Sequence, residues 1–479
     1  MSSIKINFSY NIIYQLFLII LPLFTAPYVT RVLGASNLGI YSYTYSIANY
    51  FLLFAMLGIL NYGNRNVAYN SDNKEHLSKT FWNIYALQLL TSIVIITLYI
   101  IYLNCFNIDN KTIAILQICY LFSCVFDINW FFFGMEKFKI TVTRNIIIKL
   151  ITVVLIFIFV TESDDLWIYT LILSIGTLFS QLIMWIFIRK YIDFYKPNFK
   201  EIVVHIKPII ILFIPVIAVS VYKIMDKIMI GNLSNIAQVG YFEYALLIVN
   251  VPLTICVALA TVMLPRMSKL VASGNTKKGE RYIELSMMFS VCISVGLSFG
   301  IASIATVFTP IFYGPDFIVT GYLIELLAPT VMFTAWANVI RTQYLIPNGM
   351  DSSYILSVLM GAIVNIIINL LLIPKIGAYG AVIGTFCAEA TVCILQSVAV
   401  RKHLEIRKYF KDNIPFVIIG IIMFLFVKVI GLKLDGSILA LFTQIFCGGI
   451  IYITLIVLYL RYAHKSIFDN IFNSIRRFF

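Results

Sequence analysis

Continuous apolar runs of about 20 residues recur along the chain, and they restrict its fold more than any other feature. In hydrocarbon every backbone N–H and C=O group needs a partner within the protein, so only helices and closed barrels span membranes. Barrel strands are alternating segments of about 10 residues, whereas the runs here are longer and do not alternate. Only 12% of the 479 residues are charged, against roughly 25% in a soluble chain. The sequence therefore predicts an all-α polytopic membrane protein.

Windows of that length predict about 14 transmembrane helices. They lie near residues 10–32, 38–60, 80–103, 112–133, 139–160, 166–188, 208–230, 237–260, 285–312, 318–340, 353–373, 378–400, 414–432 and 437–460. With the N-terminus in the cytoplasm, 27 of the 35 Lys and Arg residues fall in inner segments and five in outer ones. This asymmetry follows the positive-inside rule and predicts that both termini are cytoplasmic. The net charge of +13 is thus explained by topology, and no basic stripe indicates nucleic acid as a partner.

The C-terminal tail, residues 461–479, has the pattern of an amphipathic helix. Its apolar residues recur on one helical face, and they are Ile467, Phe468, Ile471, Phe472 and Ile475. A helix of this kind lies in the membrane interface, so we expect the tail to anchor the chain on the inner membrane surface.

Two short segments indicate an internal repeat. GASNLGIYSY begins at Gly34 between the first and second predicted spans, and GNLSNIAQVGYFEY begins at Gly231 between the seventh and eighth. An offset of an even number of spans predicts parallel repeats, with a substrate site between two lobes near the membrane midplane. We expect an N-terminal lobe over residues 1–200, a C-terminal lobe over 201–411, and two further helices with the amphipathic tail over 412–479.

Several segments in this order resemble one family of exporters. They are PYVTRVLGASNLGIYSY from residue 27, DINWFFFGMEKF from 127, YKIMDKIMIG from 222, VGYFEYA from 239, MLPRMSKL from 263 and NIIINLLLIPKIGAYGAVIGT from 365. The chain resembles the Wzx-type polysaccharide and O-antigen flippases of the MOP exporter superfamily. The resemblance implies a MATE-like fold of two six-helix lobes, with two additional C-terminal helices, in the bacterial cytoplasmic membrane.

The same resemblance implies a function and its partners. Such proteins move undecaprenyl-pyrophosphate-linked oligosaccharides from the cytoplasmic to the outer leaflet by alternating access, for O-antigen, capsule or exopolysaccharide synthesis. The lipid-linked oligosaccharide and membrane lipids are then the partners, together with polysaccharide polymerase machinery. The resemblance implies a transporter rather than an enzyme. We expect no cofactor, and the acidic residues within spans suggest coupling to an H⁺ or Na⁺ gradient or to the membrane potential.

Basic residues near or within the spans are the predicted contacts of a pyrophosphate. They are Arg31, Lys149, Lys223, Lys227 and Arg341. Charges in hydrocarbon are costly unless they reach water or a partner, so a cation in a span indicates a polar path. For Arg31 the alternative is snorkelling to the outer surface, and for the two lysines near 225 it is a structural ion pair.

Further polar residues within spans are candidate supporting or coupling groups. They are Asp127, Asp226, Glu243, Glu325, Asn365, Asn369 and Glu389. Because Arg144 and Lys149 are five residues apart, they point about 140° apart on a helix, and we expect Lys149 to face the cavity and Arg144 the inner surface. Asn365 and Asn369 form a polar stripe with Gly361, and such stripes more often make contacts between helices than contacts with a ligand. Tyrosines at 41, 43, 45, 241 and 244 predict an aromatic belt, with sugar stacking as the alternative.

Other functions lack a sequence signal or remain open. The chain has no Walker A loop, no H-E-x-x-H motif and no dinucleotide-binding glycine pattern. A glycan polymerase is disfavoured because the predicted outer loops are short. A lipid-linked peptidoglycan-precursor flippase and a MATE-type drug antiporter share the predicted fold and remain alternatives, although five basic candidates favour an anionic cargo over a cationic drug.

Overall fold

A computed structural model describes the backbone of residues 2–106, 109–434 and 436–463, and most side chains from residue 17 onward. The regular elements within these ranges are helices, and no strand occurs among them. Contacts divide the chain into two compact units, Met1–Gly240 and Tyr241–Phe479. The part of the predicted amphipathic tail over residues 464–479 lies outside the described residues.

The first unit contains eight helices within the described residues. They are α1 (Ser2–Met56), α2 (Ile59–Asn70), α3 (Lys74–Cys105), α4 (Lys111–Phe126), α5 (Asn129–Gly134), α6 (Phe138–Phe159), α7 (Leu166–Ile188) and α8 (Phe199–Leu233). Helix α1 packs against α3, α4, α6 and α8, and α4 packs against α7. Helix α8 also contacts α2 and α3, so it belongs to this unit by contact. The predicted lobe boundaries at residues 200 and 411 stay a prediction.

The second unit contains the remaining helices. They are α9 (Ile236–Ala272), which begins in the last residues of the first unit, α10 (Thr276–Tyr313), α11 (Ile318–Leu327), α12 (Thr330–Ile340), α13 (Asp351–Ile376), α14 (Ala378–Val400), α15 (Ile406–Lys433) and α16 (Ile438–Ala463). Helix α10 is central, since it packs against α11, α12, α15 and α16. Helices α13 and α14 form an antiparallel pair joined at Gly377.

Length and composition identify 12 candidate membrane spans among the described residues, or 13 if a bent helix pair counts as one span. The sequence predicts about 14. The difference arises in α1, which is counted once although it covers two predicted spans. Gly34 interrupts α1 with φ 73° and ψ 170°, a conformation that glycine adopts without steric penalty. Residues 2–33 and 35–56 are therefore two arms, which correspond to the first two predicted spans.

Two further spans are broken where the sequence predicts continuous helices. Residues 127–128 separate α4 from α5, and the side-chain amide of Gln88 donates to the carbonyl oxygens of Cys124 and Asp127 at 2.7 and 2.9 Å. In the second unit the axis bends by 42° between α11 and α12, at Pro329, which lacks a backbone donor. The Ser298 hydroxyl donates to the Ala328 carbonyl at 2.6 Å. Buried side chains thus satisfy backbone groups that the breaks leave open.

The glycines of the two repeat copies meet within the first unit. A Cβ on Gly39 of α1 would lie 1.9 Å from the Ile236 carbonyl oxygen, and one on Gly240 would lie 2.2 Å from the Ala35 carbonyl oxygen. Only glycine permits this approach of the second arm of α1 to the first turn of α9. The repeat therefore has a structural consequence, because equivalent residues of both copies form one close backbone contact.

Candidate functional site

The first unit contains a cavity of about 780 Å³ at the end that the predicted topology places outside. The second arm of α1 and the C-terminal part of α8 form its walls, and the segments that join α3 to α4 and α8 to α9 lie at its margin. Its aromatic lining residues are Tyr43, Tyr50, Phe51, Tyr102 and Phe106, and its polar ones include Thr44, Asp109, Asn110, Asn232 and Ser234. A volume in the range of about 300–1,000 Å³ is typical of small-molecule sites.

Two tyrosines of α1 connect this wall to α8. Tyr43 and Tyr50 are seven residues apart and so share one helical face. The Tyr43 hydroxyl donates to Oδ1 of Asn232 at 2.6 Å, and the Tyr50 hydroxyl donates to the Ser220 carbonyl at 3.0 Å. Gly231 makes room for the Tyr43 ring, since a Cβ there would lie 2.3 Å from it. Both rings are therefore held in fixed positions beside the cavity.

A further part of the cavity lining comes from the end of α3 and from the residues just before α4. The ring of Tyr102 lies 5.7 Å from that of Phe51 and 5.3 Å from that of Phe106, measured between centroids. Asn110 precedes α4 in a left-handed conformation with φ 62°, which asparagine tolerates better than most residues. Asp109 next to it is exposed. Among the described lining residues Asp109 is the one charged side chain, so none of the five predicted cations lines this cavity.

Arg31 lies on the first arm of α1 near its end. Its guanidinium donates to the Pro27 carbonyl oxygen at 2.8 Å, one turn back on the same helix, and the side chain is exposed. The Pro27 carbonyl is thus one of the polar groups that contact the positive charge of Arg31.

The predicted cluster on α8 is divided between two environments. Lys223 is exposed, whereas Asp226 and Lys227 are only 2% and 9% exposed. The i, i+3 and i+4 spacing of these three residues brings them to one side of α8. Asp226 and Lys227 are therefore enclosed by protein, whereas Lys223 is not.

Arg144 and Lys149 on α6 lie in different environments. Arg144 is buried and donates to the Ser180 carbonyl, to Gln181, and to the Oδ1 atoms of Asn129 and Asn145. Lys149 is exposed. The expectation that Arg144 lies at the inner surface is therefore wrong. The guanidinium is buried because α5 and α7 supply hydrogen-bond acceptors. Spacing along α6 alone could not locate those acceptors.

Asp127 is associated with this arginine. Its Oδ1 accepts the Asn129 backbone N–H at 2.9 Å, and Arg144 is the cation that acts on its charge. The buried network at the break between α4 and α5 is the feature that sequence reasoning missed. The available signal was the polar sequence Asp127-Ile-Asn129 within an otherwise apolar span.

The second unit places Arg341 and Glu325 in separate contacts. Arg341 begins a π-helical turn over Arg341–Leu345, hydrogen-bonds to Asn338, and lies 5.5 Å from the centroid of the Tyr354 ring. Glu325 on α11 forms an ion pair with Lys428 on α15, and both side chains are 24% exposed. Glu325 thus bridges two helices.

The remaining predicted polar residues lie on α9, α13 and α14. Nδ2 of Asn369 donates to Oδ1 of Asn365 at 3.2 Å, and Gly384 of α14 packs directly on Asn369. This pair therefore lies between α13 and α14. Glu243 on α9 and Glu389 on α14 are half-buried. No group of three His, Cys, Asp or Glu residues suited to a metal ion occurs in the described part of the chain.

The tyrosines predicted as an aromatic belt pack mainly on other rings. Tyr41 lies 5.7 Å from Tyr45 and 5.0 Å from Tyr169, measured between ring centroids. Tyr244 in the second unit is 9% exposed and packs on Tyr313. Tyr43 alone among the five lines the cavity described above.

Comparison with known proteins gives a consistent family. Residues 4–271 match the family described as polysaccharide biosynthesis protein. A putative O-antigen transporter of Shigella dysenteriae is 24% identical over 390 residues, which cover 79% of this chain and 96% of the relative.

Two solved structures share this fold. The lipid II flippase MurJ, in an inward closed conformation, has a TM-score of 0.77 at 15% identity and covers 94% of this chain and 98% of its own. An inward-facing multidrug resistance MATE family transporter of the MOP superfamily has a TM-score of 0.54 at 14% identity, covering 82% of this chain and 99% of that structure. These likenesses show the fold, and with the family match they confirm the predicted MATE-like, MOP-superfamily resemblance.

Proposed function

Because the chain belongs to the polysaccharide biosynthesis protein family, we propose that it flips undecaprenyl-pyrophosphate-linked oligosaccharide from the cytoplasmic to the outer leaflet. The chain is a multi-pass membrane protein and a transporter rather than an enzyme. Relatives named O-antigen transporter support a polysaccharide flippase. The lipid carrier, the alternating-access mechanism, cytoplasmic termini and a polymerase partner are the finer parts of the proposal.

The observation that supports this function best is the cavity in the first unit. A flippase has to shelter a hydrophilic glycan from hydrocarbon, because an unpartnered polar group there costs several kcal/mol. The cavity offers hydroxyls, amides and aromatic rings among helices that are otherwise apolar. Such a lining substitutes for water around a sugar without covalent chemistry.

The second unit offers a separate apolar groove that suits a lipid chain. It has a volume of about 640 Å³ and lies between α10, α15 and α16. Glycines at 296, 300, 448 and 449 are among its lining residues, together with Met423 and Tyr452. Glycines leave the groove wide, and no charged side chain is among its described lining residues. We therefore propose that the prenyl chain of the cargo lies along it.

The pyrophosphate is proposed to meet the predicted cations rather than the cavity of the first unit. Arg31, Lys149 and Lys223 are exposed, Lys227 is buried, and Arg341 is half-buried. The exposed ones are available to an anion without prior loss of a buried contact. Asp127, Asp226, Glu243, Glu325, Asn365, Asn369 and Glu389 remain the proposed supporting and coupling groups.

A drug antiporter of the MATE type is the second candidate function. It is favoured by one observation, since Asp109 and several aromatic rings line the same cavity, and a carboxylate with aromatic faces attracts an organic cation. The family membership favours the glycan.

The two functions are separated by deleting the gene for this chain from its source strain. We expect lipid-linked oligosaccharide to accumulate with its glycan on the cytoplasmic leaflet, and surface polysaccharide to disappear until the intact gene is restored. A polymerase defect would instead leave single repeat units on the outer leaflet. Unchanged surface polysaccharide together with new sensitivity to organic cations would contradict the proposal and indicate the antiporter.

A further inference from the structure

We propose that the cavity of the first unit is a subsite for the sugar rings of the cargo, and that it excludes the pyrophosphate. This inference rests on the proposed flippase function and specifies which part of the cargo occupies which place. Sugars combine apolar C–H faces, which pack on aromatic rings, with hydroxyl groups, which need donors and acceptors in fixed positions.

The rings on the cavity wall match the first requirement. Tyr43 and Tyr50 come from α1 and Tyr102 comes from the end of α3, so aromatic faces line the cavity from two elements. Each of the three rings is half-buried, which leaves part of its surface available to a ligand. Rings of this type supply large contact areas at small entropic cost, since they rotate about only two side-chain bonds.

The polar side chains match the second requirement. The Oδ1 atom of Asn232 accepts the Tyr43 hydroxyl at 2.6 Å, so the amide nitrogen of Asn232 remains a donor for a sugar hydroxyl. Asp109 offers carboxylate acceptors, and Asn110 offers both functions. All three side chains are exposed, which places them where an entering ligand replaces water.

Charge excludes the anionic part of the cargo from this place. The described lining contains one carboxylate and neither lysine nor arginine. A pyrophosphate beside Asp109 would bring like charges together, and the described lining has no cation to offset their repulsion. The occupant is therefore neutral or weakly cationic, as sugar rings and amino sugars are.

The direct test is binding of a free glycan to the full chain in lipid nanodiscs. The probe is the oligosaccharide released from the lipid carrier of the source strain and dephosphorylated, so that it carries neither phosphate nor lipid. Saturation-transfer difference NMR should detect transfer from the protein to sugar ring protons. An excess of inorganic pyrophosphate should leave this signal unchanged, and displacement by pyrophosphate would overturn the proposal.

Variants of the lining residues locate the binding. Tyr102→Ala and Asn232→Ala should each weaken glycan binding about tenfold, which corresponds to losing one good contact. Tyr322→Ala is the matched control, because Tyr322 lies on α11 and is 47% exposed outside this cavity. If all three variants bind the glycan as tightly as the intact chain does, and melt at the same temperature, the glycan does not bind in this cavity.

Asp109→Asn separates a sugar from an organic cation. The amide oxygen still accepts hydrogen bonds, so glycan binding should weaken by less than about threefold, whereas a cation site loses its only charge. The cavity would instead be a cation site if the intact chain gave no glycan signal and bound tetraphenylphosphonium, and if Asp109→Asn lost that binding.

The variants of the lining also separate the subsite from the flippase function. Normal flipping and normal glycan binding in Tyr102→Ala and Asn232→Ala would overturn the subsite while leaving the flippase function intact.

Discussion

Lys223 and Lys227 are one helical turn apart on α8, yet Lys223 is exposed and Lys227 is only 9% exposed. Substituting a buried charged residue leaves its partners unpaired, and this lowers the free energy of unfolding by about 3–5 kcal/mol. Loss of transport in Lys227→Ala would therefore combine misfolding with loss of function. Lys223 is the better probe of the proposed pyrophosphate contacts.

Replacing Lys223 with alanine should lower surface glycan while the protein stays stable. An exposed substitution changes the free energy of unfolding by about 0.5 kcal/mol or less, whereas a lost contact with a charged group costs about 1.5–3 kcal/mol of binding, or roughly tenfold or more. Immunoblotting of surface glycan and thermal melting of the purified protein measure the two effects. Lys223→Arg should be milder than Lys223→Ala.

Lys190→Ala provides the control for this experiment, because Lys190 is also exposed and follows α7. It should leave both glycan output and melting temperature unchanged. If Lys223→Ala and Lys190→Ala give equal glycan output, Lys223 has no part in transport.

At the scale of elements, the contact between Gly39 and Gly240 determines how closely α1 approaches the start of α9. Gly39→Ala and Gly240→Ala each place a methyl group within about 2 Å of a carbonyl oxygen, so the two helices must separate. Overpacking of this kind costs about 1–3 kcal/mol. Both variants should therefore melt earlier than the native protein in detergent.

Gly449 on α16 is the matched control, since a Cβ there has no neighbouring atom within 4 Å. Gly449→Ala should retain the native melting temperature. The double substitution at 39 and 240 should cost less than the sum of the single ones, because one contact is broken twice. Equal melting of Gly39→Ala and Gly449→Ala would show that the close approach does not stabilise the fold.

Helix positions could be predicted well where lipid alone determines them. The predicted span 166–188 coincides with α7, and 378–400 coincides with α14. Prediction is worse where helices continue past the apolar segment, as in α8, which begins at Phe199 rather than near 208. A hydropathy window detects only the apolar part of a helix. Polar residues can extend the helix beyond the membrane, and the window does not detect them.

Helix breaks and side-chain partners were less accessible to prediction. The break at residues 127–128 depends on Gln88, which is distant in sequence and satisfies the freed carbonyl groups. The burial of Arg144 depends likewise on acceptors from α5 and α7. Spacing along one helix shows that Arg144 and Lys149 face different ways, but the neighbouring helices decide which of them is enclosed.

At the scale of the whole molecule, each unit supplies a different environment. The first contains a cavity of about 780 Å³ lined by tyrosines and amides, and the second contains an apolar groove of about 640 Å³. A glycolipid has the same division between a hydrophilic head and an apolar chain. Membership in a polysaccharide biosynthesis family agrees with the proposed cargo of this kind.

The central claim is that this chain alone moves a lipid-linked glycan across a bilayer. The most direct measurement reconstitutes the purified chain in liposomes that contain the lipid-linked oligosaccharide of its source strain, with and without a membrane potential. Membrane-impermeant periodate then oxidises glycans on the outer leaflet. In liposomes with the chain we expect the protected inner-leaflet glycan to become accessible over time, and more slowly with Lys223→Ala. If the protected fraction is the same with and without the chain under both conditions, the chain is not the flippase.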